Sequence, residues 1–401
     1  MSESSHRRAF RILFLCLVCI GLGQSMLFSI LPPAARQIGI SPFQVSTIFA
    51  TSATLWVFVS PAWGRRSDVW GRRPVILIGL LGYALSMASL AGMIQIGLAN
   101  WLPAIIVYPL MVAARSLFAL FGSGTGPASQ AYVADRTGPL ERTAGVALVN
   151  AAMGLGETVG PGLGALLVAV GLLTPLYLSA GLAVFSAAMI WVCLPEAELP
   201  RAPDPTRPRK MRVRDARVLP FLVVATSLQA VRATTVITFA FFLQDTLQLT
   251  AAQTVRYSGV GFVSLAIAGL FAQLIVVQRF RPTARVMMRV GLPLMLLAFA
   301  LLALGHSFAI YLAALIALGL GIGLVRPGNG AAASLAVAAH EQGAAAGIVG
   351  GVSVIGNVFG PMIGTKLYQL LPTGPYLLNA AVMTCVLLYS YGNPRLRHLR
   401  A

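Results

Sequence analysis

Apolar runs of about 20 residues recur along this chain of 401 residues, and each is long enough to cross a ~30 Å hydrocarbon layer as a helix. Inside a bilayer the backbone polar groups need partners within their own segment, so the runs are predicted as helices rather than as single strands. The predicted spans are 10–33, 42–63, 75–97, 101–133, 142–169, 172–194, 218–244, 251–278, 286–305, 307–338, 342–371 and 375–392. The sequence therefore predicts an all-α membrane protein with twelve transmembrane helices.

The net charge of +18 would suit a nucleic-acid partner if the basic residues formed one patch. They are instead distributed between the spans. With a cytoplasmic N-terminus, most of the 29 Lys and Arg residues fall on the cytoplasmic side, and the alternate loops are nearly bare. This positive-inside pattern predicts a multi-pass protein of the inner (plasma) membrane with both termini in the cytoplasm. The lipid bilayer, and not a nucleic acid, is the expected partner.

A polar, proline-rich stretch divides the predicted spans into two sets of six. It defines an N-terminal bundle over 1–194, a cytoplasmic linker over 195–217 and a C-terminal bundle over 218–401. Shifting the sequence by about 200 residues aligns the two sets without gaps, as in other internal repeats. The expected architecture is two pseudo-symmetric six-helix bundles around a central cavity, an arrangement suited to alternating access.

The aligned positions include scarce residues in one register. Gly156 falls on Gly356, Gly160-Pro161 falls on Gly360-Pro361, and Gly164 falls on Gly364. Chance would rarely preserve such a set, so the alignment supports a duplicated unit.

Charge is concentrated in GRRSDVWGRRP, residues 64–74, where Gly71 permits a tight turn and Asp68 can accept hydrogen bonds from arginines. Gly64, Asp68, Gly71, Arg72 and Arg73 resemble the signature that the major facilitator superfamily carries between its second and third spans, and the resemblance covers essentially the whole chain. It implies that these five residues, here named the latch cluster, hold the two halves together in one state of the cycle. A simple topogenic arginine cluster would explain the arginines but not the aspartate or the glycine.

The fifth span contains Gly156, Gly160, Pro161 and Gly164. Glycines at i, i+4 and i+8 form a smooth stripe on which a neighbouring helix can pack closely, and Pro161 removes one backbone hydrogen bond. The segment is similar to the antiporter motif of the drug:proton exporters of this superfamily, of the multidrug and tetracycline type. That resemblance implies export, whereas ordinary small-residue packing is the alternative interpretation.

Glu157 is the only acidic residue near the middle of a predicted span. A carboxyl group is costly there, so it should face a cavity or a partner. We predict that Glu157 couples transport to protons; a structural ion pair and a direct ligand role are the alternatives. Asn150 lies two turns earlier on the same predicted face, and the repeat equivalent Asn357 cannot titrate.

Three arginines, Arg115, Arg232 and Arg326, also lie within spans, where insertion scales assign each a cost of ~2.5–3.5 kcal/mol at the bilayer centre. Arg115 resembles the fourth-span arginine that assists proton transfer in the related exporters. The substrate-binding candidates are Gln24, Asn150, Gln229, Arg232, Arg326, Asn329 and Asn357. Because the arginine fork matches carboxylate and phosphate, we expect an anionic or zwitterionic organic substrate. Neutralisation of the arginines inside the protein, by Glu157 and an aromatic partner, is the alternative.

The sequence has no nucleotide-binding loop, no metal-ligand cluster and no paired catalytic acids, so we expect no cofactor and no enzyme activity. The four cysteines lie in or at apolar segments and suit packing. The favoured function is proton-coupled export by a monomer. Proton-coupled import of an anionic metabolite is the alternative, and a membrane enzyme or a sensor is a remote one.

Overall fold

The structure is a computed structural model that describes residues 3–137, 139–195, 215–338 and 341–393. Within these ranges the secondary structure is helical, without strands. The helices before the linker are α1 Glu3–Ile38, α2 Pro42–Trp70, α3 Arg72–Leu98, α4 Ala104–Leu117, α5 Thr125–Arg136, α6 Pro139–Leu167 and α7 Thr174–Cys193. Those after it are α8 Leu219–Leu247, α9 Ala251–Phe271, α10 Gln278–Phe280, α11 Ala284–Leu304, α12 Phe308–Leu335, α13 Gln342–Ser353, α14 Ile355–Leu370 and α15 Gly374–Gly392.

Every predicted span contains helix, and two spans also contain a π-helical segment, Phe118–Gly122 between α4 and α5 and Ala272–Val277 between α9 and α10. By length and apolarity, 10 helical stretches of the described residues are able to cross a membrane. The predicted spans not among them correspond to α6 and α15. The chain is thus an all-helical, multi-pass protein, and the count of twelve crossings stays a prediction.

Two compact units divide the chain, one of Met1–Pro203 with Ala251–Gly259 and the other of Asp204–Thr250 with Val260–Ala401. In the first unit α1 packs against α6 and α7, and α3 packs against α4 and α7. In the second unit α8 packs against α14, and α11 packs against α12. The predicted arrangement of the two bundles around a cavity stays a prediction.

Local sequence signals explain where α2 begins and ends. Ser41 and Gln44 form a capping box, in which the Gln44 N–H donates to Ser41 Oγ at 3.3 Å and the Ser41 N–H donates to Gln44 Oε1 at 2.8 Å. Gly71 separates α2 from α3 with φ of +94° and ψ of 161°, a conformation that a residue with a Cβ rarely adopts. The predicted turn at Gly71 is confirmed.

The repeat appears as the same kind of helix contact inside each unit. A Cβ added to Gly156 would meet backbone atoms of α1, including Leu22 N at 2.6 Å. A Cβ added to Gly356 would meet backbone atoms of α8, including Ala230 N at 2.7 Å. Equivalent glycines therefore bring the fifth predicted span of each half onto that half's first helix, as the small-residue stripe requires.

Polar contacts fix the chain on both sides of the linker. The Pro195 carbonyl oxygen accepts from Tyr132 Oη at 3.0 Å and from Arg136 Nη2 at 3.3 Å. Arg217, just before α8, donates to both oxygens of Glu341 at 2.7 and 3.0 Å and to Asp215 at 2.8 Å. Hydrogen bonds to Asp215, and then to Glu341, raise the pKa of Arg217 above its usual range. These contacts hold helix ends in place within each unit.

Candidate functional site

The α1–α6 seam places Glu157 beside α1. A Cβ on Gly160 would lie 2.5 Å from the Leu22 carbonyl oxygen, and a Cβ on Gly164 would lie 3.2 Å from Met26 Cγ. Ser25 Oγ donates across the seam to the Gly156 carbonyl oxygen at 3.4 Å. The predicted glycine stripe is therefore a close helix contact, and α6 continues through Pro161 to Leu167.

Glu157 follows Gly156 directly and its side chain is exposed. Its backbone nitrogen lies 3.1 Å from the position that a Cβ on Gly21 of α1 would take. Among the described residues the carboxylate has neither an ion-pair nor a hydrogen-bond partner. The side chain of Asn150, the predicted neighbour, lies outside the described residues.

Arg115 lies near the end of α4 and is only 5% exposed. Its Nη2 donates to Gln24 Oε1 of α1 at 2.6 Å. Its Cζ lies 4.8 Å from the centre of the Phe118 ring and 5.8 Å from that of Phe49, both within reach of a cation–π interaction. The structure thus brings together Arg115 and Gln24, which the sequence assigned separately to proton coupling and substrate binding.

The latch cluster is built around Arg72, whose side chain is 7% exposed. Its Nη1 donates to Asp68 Oδ1 at 2.6 Å, and its Nε donates to Asp135 Oδ2 at 3.0 Å. Arg73 donates to the carbonyl oxygen of Trp191, and its Cζ lies 5.4 Å from the centre of the Trp191 ring. A Cβ on Gly64 would meet no atom within 4 Å. The cluster ties α2 and α3 to α5 and α7.

Asp135 is the partner that the sequence analysis missed. It lies at the C-terminal end of α5, just beyond the fourth predicted span. An acidic residue is common at such a position, so Asp135 gave no separate signal of a functional role. The signal that could have found it is charge balance, because the arginine-rich stretch has a single acid of its own.

In the second unit the predicted substrate-binding residues differ in how exposed they are. Arg326 is exposed on α12, whereas Asn329 is only 3% exposed and its Nδ2 donates to the Phe221 carbonyl oxygen of α8 at 2.9 Å. Asn329 therefore holds α12 against α8 in this structure. Gln229 and Arg232 are half-buried on α8, and Asn357 is half-buried on α14. Their roles in substrate binding stay predictions.

Comparisons with known proteins identify the family of this chain. The Major Facilitator Superfamily profile matches residues 13–295 and 276–399. Multidrug resistance protein 1 of Bacillus subtilis is 25% identical over 388 residues, covering 95% of each chain. Tetracycline resistance protein, class D, of Salmonella ordonez is 34% identical over 119 residues, covering 30% of this chain and 27% of the relative.

Solved structures show the same fold. The human organic anion transporter MFSD10 superposes with a TM-score of 0.67 at 20% identity, covering 97% of this chain and 100% of the other. The nucleoside transporter NupG superposes with a TM-score of 0.75 at 12% identity, covering 95% and 98%. The chain belongs to the Major Facilitator Superfamily. It is a multi-pass membrane transporter with drug-efflux relatives, and not an enzyme.

The latch cluster makes a testable prediction. Asp68→Asn leaves Arg72 with Asp135 as its charged partner, so the first unit should still fold. The new amide can make only a weaker hydrogen bond to Arg72, because hydrogen bonds between two charged groups are stronger than those to a neutral group. If the latch needs the charged bond, transport at equal membrane abundance should fall at least fivefold. Transport by everted vesicles measures this, with Arg65→Gln as the control for loss of a nearby exposed charge. Wild-type rates in Asp68→Asn would show that Asp68 is not part of a latch.

Proposed function

We propose that this chain is a proton-coupled secondary transporter that exports a small organic anion or zwitterion by alternating access. The observation that carries the proposal is Glu157, an acid without a fixed partner among the described residues, one residue after a glycine in close contact with the backbone of α1. Export is supported by the drug-efflux relatives, one of which matches 95% of the chain. We also propose that the protein is a monomer. The basic loops favour a location in the inner membrane with both termini in the cytoplasm.

The charges favour a zwitterion over a simple anion. In an antiporter, the proton and the substrate must compete for the same carrier. A positively charged substrate group competes with a proton for Glu157, whereas a carboxylate would bind better once Glu157 is neutral. A negative group on the same substrate suits Arg115, and Arg232 and Arg326 are further candidates. A zwitterion therefore satisfies both the coupling and the arginines.

Proton-coupled import remains the second candidate, and a specific observation favours it. Arg115 is buried without a carboxylate partner among the described residues, so a purely anionic substrate would bind together with a proton on Glu157. Binding of this kind gives symport rather than antiport. The net charge of the substrate therefore separates the two candidates.

Substrate charge can be tested in everted membrane vesicles energised with a pH gradient. We expect uptake of the zwitterion tetracycline, the compound in the name of one relative, to exceed that of the cation ethidium at least tenfold. Vesicles from cells that lack the protein supply the background. Uptake of ethidium equal to or faster than that of tetracycline would contradict the arginine-based substrate class.

A further inference from the structure

We infer that Arg115 and Gln24 form a subsite for one carboxylate group of the substrate, built entirely within the first unit. The inference rests on the proposed function, because it names where the negative end of the proposed substrate binds. Arg115 Nε, Arg115 Nη1 and Gln24 Nε2 are buried and have no hydrogen-bond partner within the described ranges. All three atoms are donors, so the missing partner is an acceptor.

A comparison with Arg72, which is also buried, indicates the charge of that acceptor. Arg72 and Arg115 are 6% and 5% exposed. Arg72 binds two carboxylates, Asp68 and Asp135. Arg115 binds one neutral amide oxygen and two aromatic rings. A buried guanidinium without an anion has an uncompensated desolvation cost, and a carboxylate from the substrate would remove it.

Contacts from three helices hold the backbone and the side chain of Arg115. Ser52 Oγ of α2 donates to the Arg115 carbonyl oxygen at 3.4 Å, and Ser86 Oγ of α3 donates to the Ala114 carbonyl oxygen at 2.7 Å. Gln24 approaches from α1. The bonds from α2 and α3 therefore hold the backbone that carries Arg115, and Gln24 of α1 holds its guanidinium, as expected of a binding residue whose direction matters.

The aromatic side chains around Arg115 indicate what kind of ligand the subsite accepts. Phe118 lies over Arg115 and begins the π-helical segment Phe118–Gly122, and π-helical turns occur frequently at functional sites. Because the unpartnered N–H groups are buried, a neighbouring side chain must move for an anion to reach them. Because Phe49 and Trp56 pack beside this site, the carboxylate should be attached to an apolar or aromatic body.

The test uses benzoate and its neutral analogue benzamide on the purified full-length protein. Trp56 supplies the signal, since its ring lies 5.0 Å from the Phe118 ring, and Trp56→Phe identifies that signal. We expect saturable benzoate binding, with benzamide at least tenfold weaker because it has no charge for Arg115. Arg115→Lys should weaken benzoate at least fivefold, since an ammonium lacks the planar fork. Gln24→Leu, which removes the third donor, should weaken it several-fold.

Arg279→Lys is the matched control, because Arg279 is an exposed arginine outside the candidate site, and its benzoate affinity should equal that of the wild type. Melting temperatures verify folding. If Arg115→Lys does not fold, Gln24→Leu still tests the subsite. Equal binding of benzoate and benzamide, or unchanged affinity in both variants, would overturn the subsite. The binding assay needs no pH gradient, so a negative result says nothing about proton coupling at Glu157, which the gradient-driven transport assay tests separately. If Glu157 is instead the counter-ion of Arg115, only Glu157 variants will change the Trp56 signal, which would also overturn it.

Discussion

Glu157→Gln is expected to abolish pH-gradient-driven transport while leaving substrate binding within a factor of about three. The amide keeps the shape of the side chain but cannot release a proton. Glu157 has no ion pair or hydrogen bond among the described residues, so the change breaks no contact that holds the first unit together. Uptake by everted vesicles with and without an imposed pH gradient measures the effect, and a binding assay on purified protein measures affinity.

Two companion variants make the result specific. Glu157→Asp retains a titratable group and should recover part of the gradient-driven rate. Asp245→Asn tests a second acid, which lies near the end of a span and whose carboxylate accepts a hydrogen bond from Tyr368. Full gradient-driven transport in Glu157→Gln, with loss in Asp245→Asn, would move the coupling site to the second unit.

Gly156→Ala is expected to destabilise the protein and to abolish transport, the largest effect of any single methyl addition in α6. The new Cβ would lie 2.6 Å from Leu22 N and closer still to the Val18 carbonyl oxygen. Both are backbone atoms of α1, so no rotamer change relieves the overlap and the helices must separate. Overpacking of this kind typically costs ~1–3 kcal/mol.

Gly154→Ala is the matched control, since a Cβ there would meet nothing within 4 Å. Alanine also has the higher helix propensity, so this variant should keep or slightly raise the melting temperature. Thermal unfolding of both purified variants, with transport at equal abundance, tests the seam. Equal melting temperatures for the two variants would show that α1 and α6 do not depend on close contact at Gly156.

Patterns along the chain predicted the features that depend on local chemistry. The apolar runs gave the helices, because a backbone in lipid has few alternatives. Gly71 gave the turn between α2 and α3, and the stripe of Gly156, Gly160 and Gly164 gave the close packing of α6 on another helix. In each case the residue type alone indicates the local structure that the chain must adopt.

Contacts between distant segments could not be predicted in this way. Arg72 and Asp135 are joined across 63 positions, and Gln24 and Arg115 across 91, distances over which no periodic signal operates. The role of Asn329 as a substrate contact stays a prediction, and its polarity alone did not indicate the bond from its Nδ2 to the Phe221 carbonyl oxygen. The π-helical segment at Phe118 also has no sequence signature. These features depend on how the helices pack.

The direction of proton movement tests the central proposal, that substrate leaves in exchange for protons. Proteoliposomes containing the protein and a pH-sensitive dye are loaded with the zwitterion identified in the vesicle assay and then diluted into substrate-free buffer. As substrate flows out, an antiporter brings protons in, so the lumen should acidify, and Glu157→Gln liposomes should show no change. Alkalinisation of the lumen would mean that substrate and proton leave together, and an unchanged lumen with continuing efflux would mean no coupling; either result would contradict proton-coupled export.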